Sequence, residues 1–279
     1  MKNRPSATAL RAAIRRAAHQ FWDEPTVFAD PYAAPLIASL DHVRLSRAKP
    51  CWEPAMATSL RALLAARARF AEDILADAVE RGVRQFCILG AGLDTFACRN
   101  PYEARGLRVF EVDHPVSQTW KLEVLAKAQL RSSAVFAPVD FEQASLSSAL
   151  EAAGFDAGQP ALFSCLGVVS YLPAATFVEI LRFVRRLPGG SGIVFDFPTL
   201  DRRLSLGERA VRRLASLKLA LQGEAARTRF APARLAGLLH HLGFEVTMLD
   251  AQAINECYFA ARADRLAVSR RAGFVHASL

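Results

Sequence analysis

The run Gln85-Phe86-Cys87-Ile88-Leu89, broken at once by Gly90-Ala91-Gly92, constrains the fold more than any other feature of the chain. A continuous apolar run too short for a helix and ended by a glycine turn reads as a strand buried on both faces, which is the signature of a parallel sheet. Further strands are predicted from Leu107 to Val112, Ala134 to Val139, Ala161 to Cys165 and Gly192 to Phe197, with helical patterns between most of them. That alternation predicts an α/β fold with helices on both faces of the sheet.

Three helices are predicted before the first strand. One runs from Ala7 to Phe21 and is ended by Asp23-Glu24-Pro25, a second from Tyr32 to Leu40 opens after Asp30-Pro31, and a long third from Ala55 to Arg81 is closed by Gly82. Beyond Pro198, residues Asp201 to Ala226 form a basic, amphipathic helical stretch that reads as an insertion over the open end of the sheet. A helix from Arg234 to Leu242 follows, and Phe244 to Leu249 with Glu256 to Ala261 are expected to close the sheet as an antiparallel pair. The expected organisation is one compact domain: residues 1–82 as an N-terminal helical cap and first core helix, and residues 83–279 as the core, with a lid near 199–230.

Composition narrows the partners. The 35 basic and 27 acidic side chains give a net charge of +8, but the arginines are scattered along helical faces, so nucleic acid binding is not indicated. No charge-free apolar run reaches the roughly 18 residues of a membrane span, and arginines interrupt the N-terminal stretch where a secretory signal would need its apolar core. The five cysteines are widely spaced and never in a C-x-x-C pair, which suggests no disulfide framework or zinc site and fits a reducing cytoplasm.

Parallel sheets place ligands beyond the carboxyl ends of their strands. Leu89-Gly90-Ala91-Gly92-Leu93-Asp94-Thr95 sits at such an end, where small residues let backbone approach a ligand. A dinucleotide site would show a third glycine where Thr95 stands, and Asp94 would oppose a phosphate. About 20 residues on, Val109-Phe110-Glu111-Val112-Asp113 ends in acids at the spacing where such folds hydrogen-bond a ribose. Either Glu111 or Asp113 can serve, because residues two apart on a strand share a face. Pro138-Val139-Asp140-Phe141 offers another acid at a strand end, with an aromatic that can lie against a purine.

These motifs together resemble the leucine carboxyl methyltransferase-like group of class I S-adenosylmethionine-dependent methyltransferases, which includes bacterial small-molecule O-methyltransferases. The likeness is carried by Ile88 to Thr95, Phe110 to Pro115, Pro138 to Phe141 and Leu166-Gly167-Val168-Val169-Ser170-Tyr171-Leu172-Pro173, with Phe28 to Ala33 and Tyr258 to Asp264 at the flanks. It implies a Rossmann-like, mostly parallel seven-stranded sheet with a helical cap and lid. It also implies S-adenosylmethionine contacts at Gly90, Ala91, Gly92, Asp113, Asp140 and Phe141, with Arg67 meeting the cofactor carboxylate. Leu166 stands where many members carry Glu, so one contact is absent or comes from backbone.

The expected acceptor is a carboxylate, or a hydroxyl, on a small molecule, anionic ones included. A carboxylate is already ionised near neutral pH and needs no general base. No histidine with a carboxylate partner is evident in the sequence; for a hydroxyl acceptor, His19, His114 or Tyr171 would be the base to test. Tyr171 is the candidate for orienting the substrate, against the plainer reading of a tyrosine packed under the lid. Trp22-Asp23 and Trp52-Glu53 could form substrate walls but read first as ordinary packing, and Arg11, Arg15 and Arg16 could draw in an anion but read first as a solvated face. A nicotinamide oxidoreductase and an inactive scaffold are the rival readings.

Overall fold

The apolar runs become parallel strands β1 (Gln85–Leu89), β2 (Arg108–Asp113), β3 (Val135–Pro138), β4 (Ala161–Cys165) and β5 (Gly192–Pro198). This is a computed structural model that describes residues 6–140, 144–199, 228 and 230–279; the predicted lid helix over 201–226 and Phe141 lie outside them. With β6 (Glu245–Leu249) and β7 (Ala272–Ser278), the strands form one seven-stranded sheet in the order β3-β2-β1-β4-β5-β7-β6, in which β7 runs antiparallel to both neighbours. The expected mostly parallel, seven-stranded class I methyltransferase sheet is therefore present.

The closing pair is corrected. Glu256 to Ala261 is not a strand: most of it lies in the helix Ala251–Phe259, which Asp250 starts by accepting a hydrogen bond from the Ala253 N–H at 2.9 Å. The buried residues Ala251 and Ile254, three apart, set a helical stripe that a short window reads as strand texture. The strand that pairs with β6 comes later, as Phe274 to Ser278 inside β7.

Period-two alternation divides the core between the two faces of the sheet. Phe86, Ile88, Val109, Leu162 and Val194 pack with residues of α3 (Ala55–Glu80), whose buried Ala62, Ala66, Ala71 and Ala78 let it lie close to the strands. Cys87, Leu89, Phe110, Phe163 and Phe195 face the other way, onto Phe177, Leu181 and Val184 of the helix Ala174–Arg185 and Leu235 and Leu239 of Pro232–His241. The cap, α1 (Ala7–Trp22) and α2 (Ala33–Ala38), packs on Val124 and Leu125 of α5 (Pro115–Lys127), with the short α4 (Phe96–Arg99) between glycine loop and β2. Among the described residues no helix is long and apolar enough to cross a membrane.

Register sets the site. Leu89 pairs with Val112 and Asp113 with Pro138, while Ile88 pairs with Ser164. Continued one or two rungs, that register puts Gly90, Asp113 and Leu166 level at the carboxyl edge, with Asp140 just beyond. The strand order changes direction between β1 and β4, which opens a crevice at this point.

Candidate functional site

A cavity of about 300 Å³ occupies that crevice, at the small end of the range for ligand pockets. Its walls include Gly90, Ala91, Gly92, Asp113, Asp140 and Leu166, together with Arg67 from α3 and Tyr171 from the loop after β4. Every described member of the expected site thus meets in one hollow. Ala9, Ala12 and Ala13 of α1 lie across it, so the cap forms part of the wall rather than a separate layer.

The two acids of β2 differ in depth. Glu111 is 1% exposed and ion-paired with Lys121 Nζ at 2.5 Å, whereas Asp113 borders the cavity. Asp113 Oδ2 accepts from the Gly92 N–H at 2.6 Å and Oδ1 from the His114 N–H at 2.7 Å, so the acid ties the glycine loop to the end of β2. Burial pushes its carboxyl above the ordinary value, against the pull of those two N–H groups and of Lys121.

Asp94 does more than repel phosphate. Its Oδ1 accepts from the Phe96 N–H at 2.7 Å, and its Oδ2 pairs with Arg16 at 3.1 Å. Burial alone would raise this carboxyl, but the Arg16 and Lys121 charges more than offset it and hold it below the usual range. Arg16 also reaches Leu93 O, Thr95 Oγ1 and, through Nε, Asp30 Oδ2 at 3.1 Å. It is an enclosed tie between cap and glycine loop, not the solvated face expected; Arg11 and Arg15 stay outside the cavity wall. Asp30 completes the tie by accepting from Thr95 Oγ1 at 2.7 Å, which gives the Phe28 to Ala33 motif a physical purpose.

The glycines serve the protein's own packing. A Cβ on Gly90 would stand 2.3 Å from Val168 Cγ2, and its φ of +66° is strained for any L side chain. That space is filled by Val168, while the Gly90 backbone itself borders the cavity. Gly90→Ala should therefore lower stability by about 2–4 kcal/mol, combining overpacking with left-handed strain. In thermal melts, adding Val168→Ala should recover the packing part and leave the strain; no recovery would mean that Val168 is not the obstacle.

A histidine–carboxylate pair does exist, which the sequence did not reveal. His19 Nδ1 lies 2.8 Å from Asp23 Oδ2, one helical turn away and fully buried. Its Nε2 accepts from the backbone N–H groups of Val27 and Phe28, so the hydrogen-bond network assigns the proton to Nδ1 and leaves Nε2 no free lone pair. His114 caps α5, its Nδ1 accepting from the Val116 N–H at 3.3 Å, so the same logic places its proton on Nε2, 3.9 Å from Asp140 Oδ2. Trp22 stacks under Arg61 and Trp52 is 77% exposed; neither is in the cavity wall. Both tryptophans are cap surface and packing.

Asp196 of β5 was missed. Its Oδ2 takes an N–H from Arg67 at 3.2 Å, and its Oδ1 takes the Gly167 N–H. The available signal was an acid inside the apolar run Ile193-Val194-Phe195-Asp196-Phe197, since a charge is seldom placed in a central strand without a partner. Thr228 bonds to Ser170 O and Leu172 O on either side of Tyr171.

Residues 9–185 match the leucine carboxyl methyltransferase family. The chain belongs to that family. A protein of Bacillus subtilis (strain 168), provisionally named S-adenosyl-L-methionine-dependent methyltransferase YktD, is 29% identical over 302 residues, covering 99% of this chain and 98% of its own length. A provisionally named S-adenosyl-L-methionine-dependent methyltransferase of Mycobacterium marinum (strain ATCC BAA-535 / M) is 33% identical over 211 residues, or 72% of this chain and 68% of that protein. Among solved structures, a DUF574 family protein from Streptomyces avermitilis MA-4680 aligns with a TM-score of 0.58 at 17% identity, over 95% of this chain and 96% of that one. A provisionally named methyltransferase from Thermobifida fusca YX aligns at 0.59 and 15% identity, over 99% and 96%. These two show the shared fold. This family member is an S-adenosylmethionine-dependent methyltransferase, with S-adenosylmethionine as its cofactor.

Proposed function

We propose that the enzyme methylates a carboxylate oxygen of a small molecule, making a methyl ester. The observation that carries this reading is that His114, the one described histidine in the cavity wall, has its Nδ1 lone pair occupied by the Val116 N–H as the cap of α5, while His19, outside the wall, has its Nε2 lone pair held by the Val27 and Phe28 N–H groups. The other four histidines do not line the cavity, and none of the residues outside the described set is a histidine. A carboxylate acceptor needs no such base.

The cavity fits the cofactor on this reading. Asp113 and Asp140 stand at the ends of β2 and β3, on one side of β1, while Arg67 and Gly167 stand by β4 and β5 on the other. Two strand spacings, about 10 Å, separate β2 from β4, which suits an elongated ligand with hydroxyls at one end and a carboxylate at the other. Asp113 would accept from the ribose hydroxyls, Asp140 would border the base, and the Gly90-Ala91-Gly92 turn would lie beneath the middle. Arg67 would meet the carboxylate, with Leu166 contributing backbone and apolar surface. When bound, the cofactor supplies an electrophilic methyl on a sulfonium. The protein's share is to align the acceptor oxygen with that methyl and to exclude water. Ala9, Ala12, Leu172 and Pro173 would give an apolar wall for the acceptor, and Tyr171, which lines the same cavity, would orient it.

Labelled S-adenosylmethionine and a metabolite extract test this. The product should carry one added methyl that mild base removes, and the transfer rate should be flat from about pH 6 to 8 because the acceptor stays ionised throughout. A base-stable product, or a rate that climbs across that range, would replace the carboxylate by a hydroxyl.

A further inference from the structure

The amino-acid end of the cavity is built on a carboxylate outside its wall. Asp196 sits on β5 behind Arg67, 11% exposed, and its two oxygens are divided between the Arg67 guanidinium and the Gly167 N–H. Gly167 has a φ of +72°, and a Cβ there would stand 2.6 Å from Arg67 Nη1 and 2.9 Å from Nη2, so the guanidinium rests directly on the loop backbone. Among the described residues Asp196 is the one hydrogen-bond partner of Arg67, which leaves most of its five N–H donors for a ligand. Three pieces 129 and 29 residues apart in sequence are thus held in one arrangement by one side chain.

We propose that Asp196 is a positioning residue that sets affinity for the amino-acid half of the cofactor, acting through Arg67 and the Gly167 turn. It rests on the reading that Arg67 meets the cofactor carboxylate. The chemistry calls for a carboxylate. A carboxamide has a single acceptor oxygen; if that oxygen keeps the Gly167 N–H, the amide turns its own N–H groups toward the guanidinium, donor against donor. Arg67 then loses the anchor that selects its rotamer, and the grip on the amino-acid group weakens with it.

The test compares two ligands by titration calorimetry. S-adenosylhomocysteine carries the amino-acid half; 5′-methylthioadenosine has the same thioether nucleoside without it. Asp196→Asn should weaken S-adenosylhomocysteine by about ten- to a hundredfold and leave 5′-methylthioadenosine unchanged. In an Arg67→Met background, Asp196→Asn should cost nothing more, because the residue acts through Arg67. Equal weakening of both ligands, no weakening of either, or a full further loss on top of Arg67→Met overturns the proposal. Arg67→Met alone separates the two layers: unchanged S-adenosylhomocysteine affinity there sinks the Arg67 reading itself, whereas a loss there without one in Asp196→Asn sinks only the positioning role. Asp196→Ser, which keeps an oxygen for Gly167, gives the same comparison should the asparagine variant fail to fold.

Discussion

Asp113→Ala should lower S-adenosylmethionine affinity by about a hundredfold or more, since it deletes two charge-assisted hydrogen bonds to vicinal hydroxyls. The variant should still fold. The Gly92 and His114 N–H groups lose their acceptor, but Gly92 is only partly buried and water can take its place. Asp113→Asn refines the test, because one carbonyl oxygen remains for Gly92 while the charge is gone. The nucleoside is common to S-adenosylhomocysteine and 5′-methylthioadenosine, so both variants should weaken the two ligands in the same ratio. That pattern is the opposite of the one expected for Asp196→Asn, and the pair of experiments maps the two ends of the cavity independently. Acid should act in the same direction as mutation: burial raises the Asp113 carboxyl, so affinity should begin to fall at a higher pH than an ordinary aspartate would set. Binding that is indifferent to Asp113→Ala would move the ribose elsewhere and take the proposed arrangement with it.

The contrast between those two carboxylates also shows what a sequence can disclose. Asp113 was legible because it ends a strand at a fixed distance from a glycine turn, and strand ends in a parallel sheet converge by topology alone. Asp140 and the strands β1 to β5 were legible for the same reason: apolar runs bounded by turn residues need no tertiary information. Asp196 was not, because its meaning lies in Arg67, on a helix 129 residues away. Arg16 was read as a solvated face because helical periodicity says which residues share a side, not that Asp30 and Asp94 wait on that side. The lone pairs of His19 and His114 were equally hidden, since backbone N–H groups leave no trace in composition. In the last third, Glu256 to Ala261 was misread because a short helix with few buried positions and a strand share the same texture over six residues, and only the Asp250 cap separates them.

Arg61 should be the side chain whose loss costs the fold most. It is 1% exposed on α3, with Nε 2.7 Å and Nη2 3.0 Å from the two oxygens of Asp23, Nη1 on Glu53, and its plane over Trp22. Asp23 in turn holds His19 and is approached by Lys49 at 3.5 Å, so one guanidinium joins α1, α3 and the segment before α3. Arg61→Met keeps the length and removes the charge, leaving Asp23 buried beside a neutral neighbour; breaking a buried pair in this way costs about 3–5 kcal/mol. Denaturant titration at neutral pH should show that loss, and because α1 lies across the cavity, cofactor affinity should fall with it. The pH dependence gives the sharper signature. Burial would raise the Asp23 carboxyl, but hydrogen bonds from His19 and Arg61 more than offset it and depress it well below the ordinary value. A depressed folded-state carboxyl contributes stability that is fully present above the unfolded value, near 4, and is lost as the pH falls toward the folded one. The gap between wild type and Arg61→Met should therefore be widest at neutral pH and narrow as acid protonates Asp23 in the variant before it does so in wild type. A gap that stays constant into strong acid would mean the guanidinium acts by packing on Trp22 rather than by its charge on Asp23.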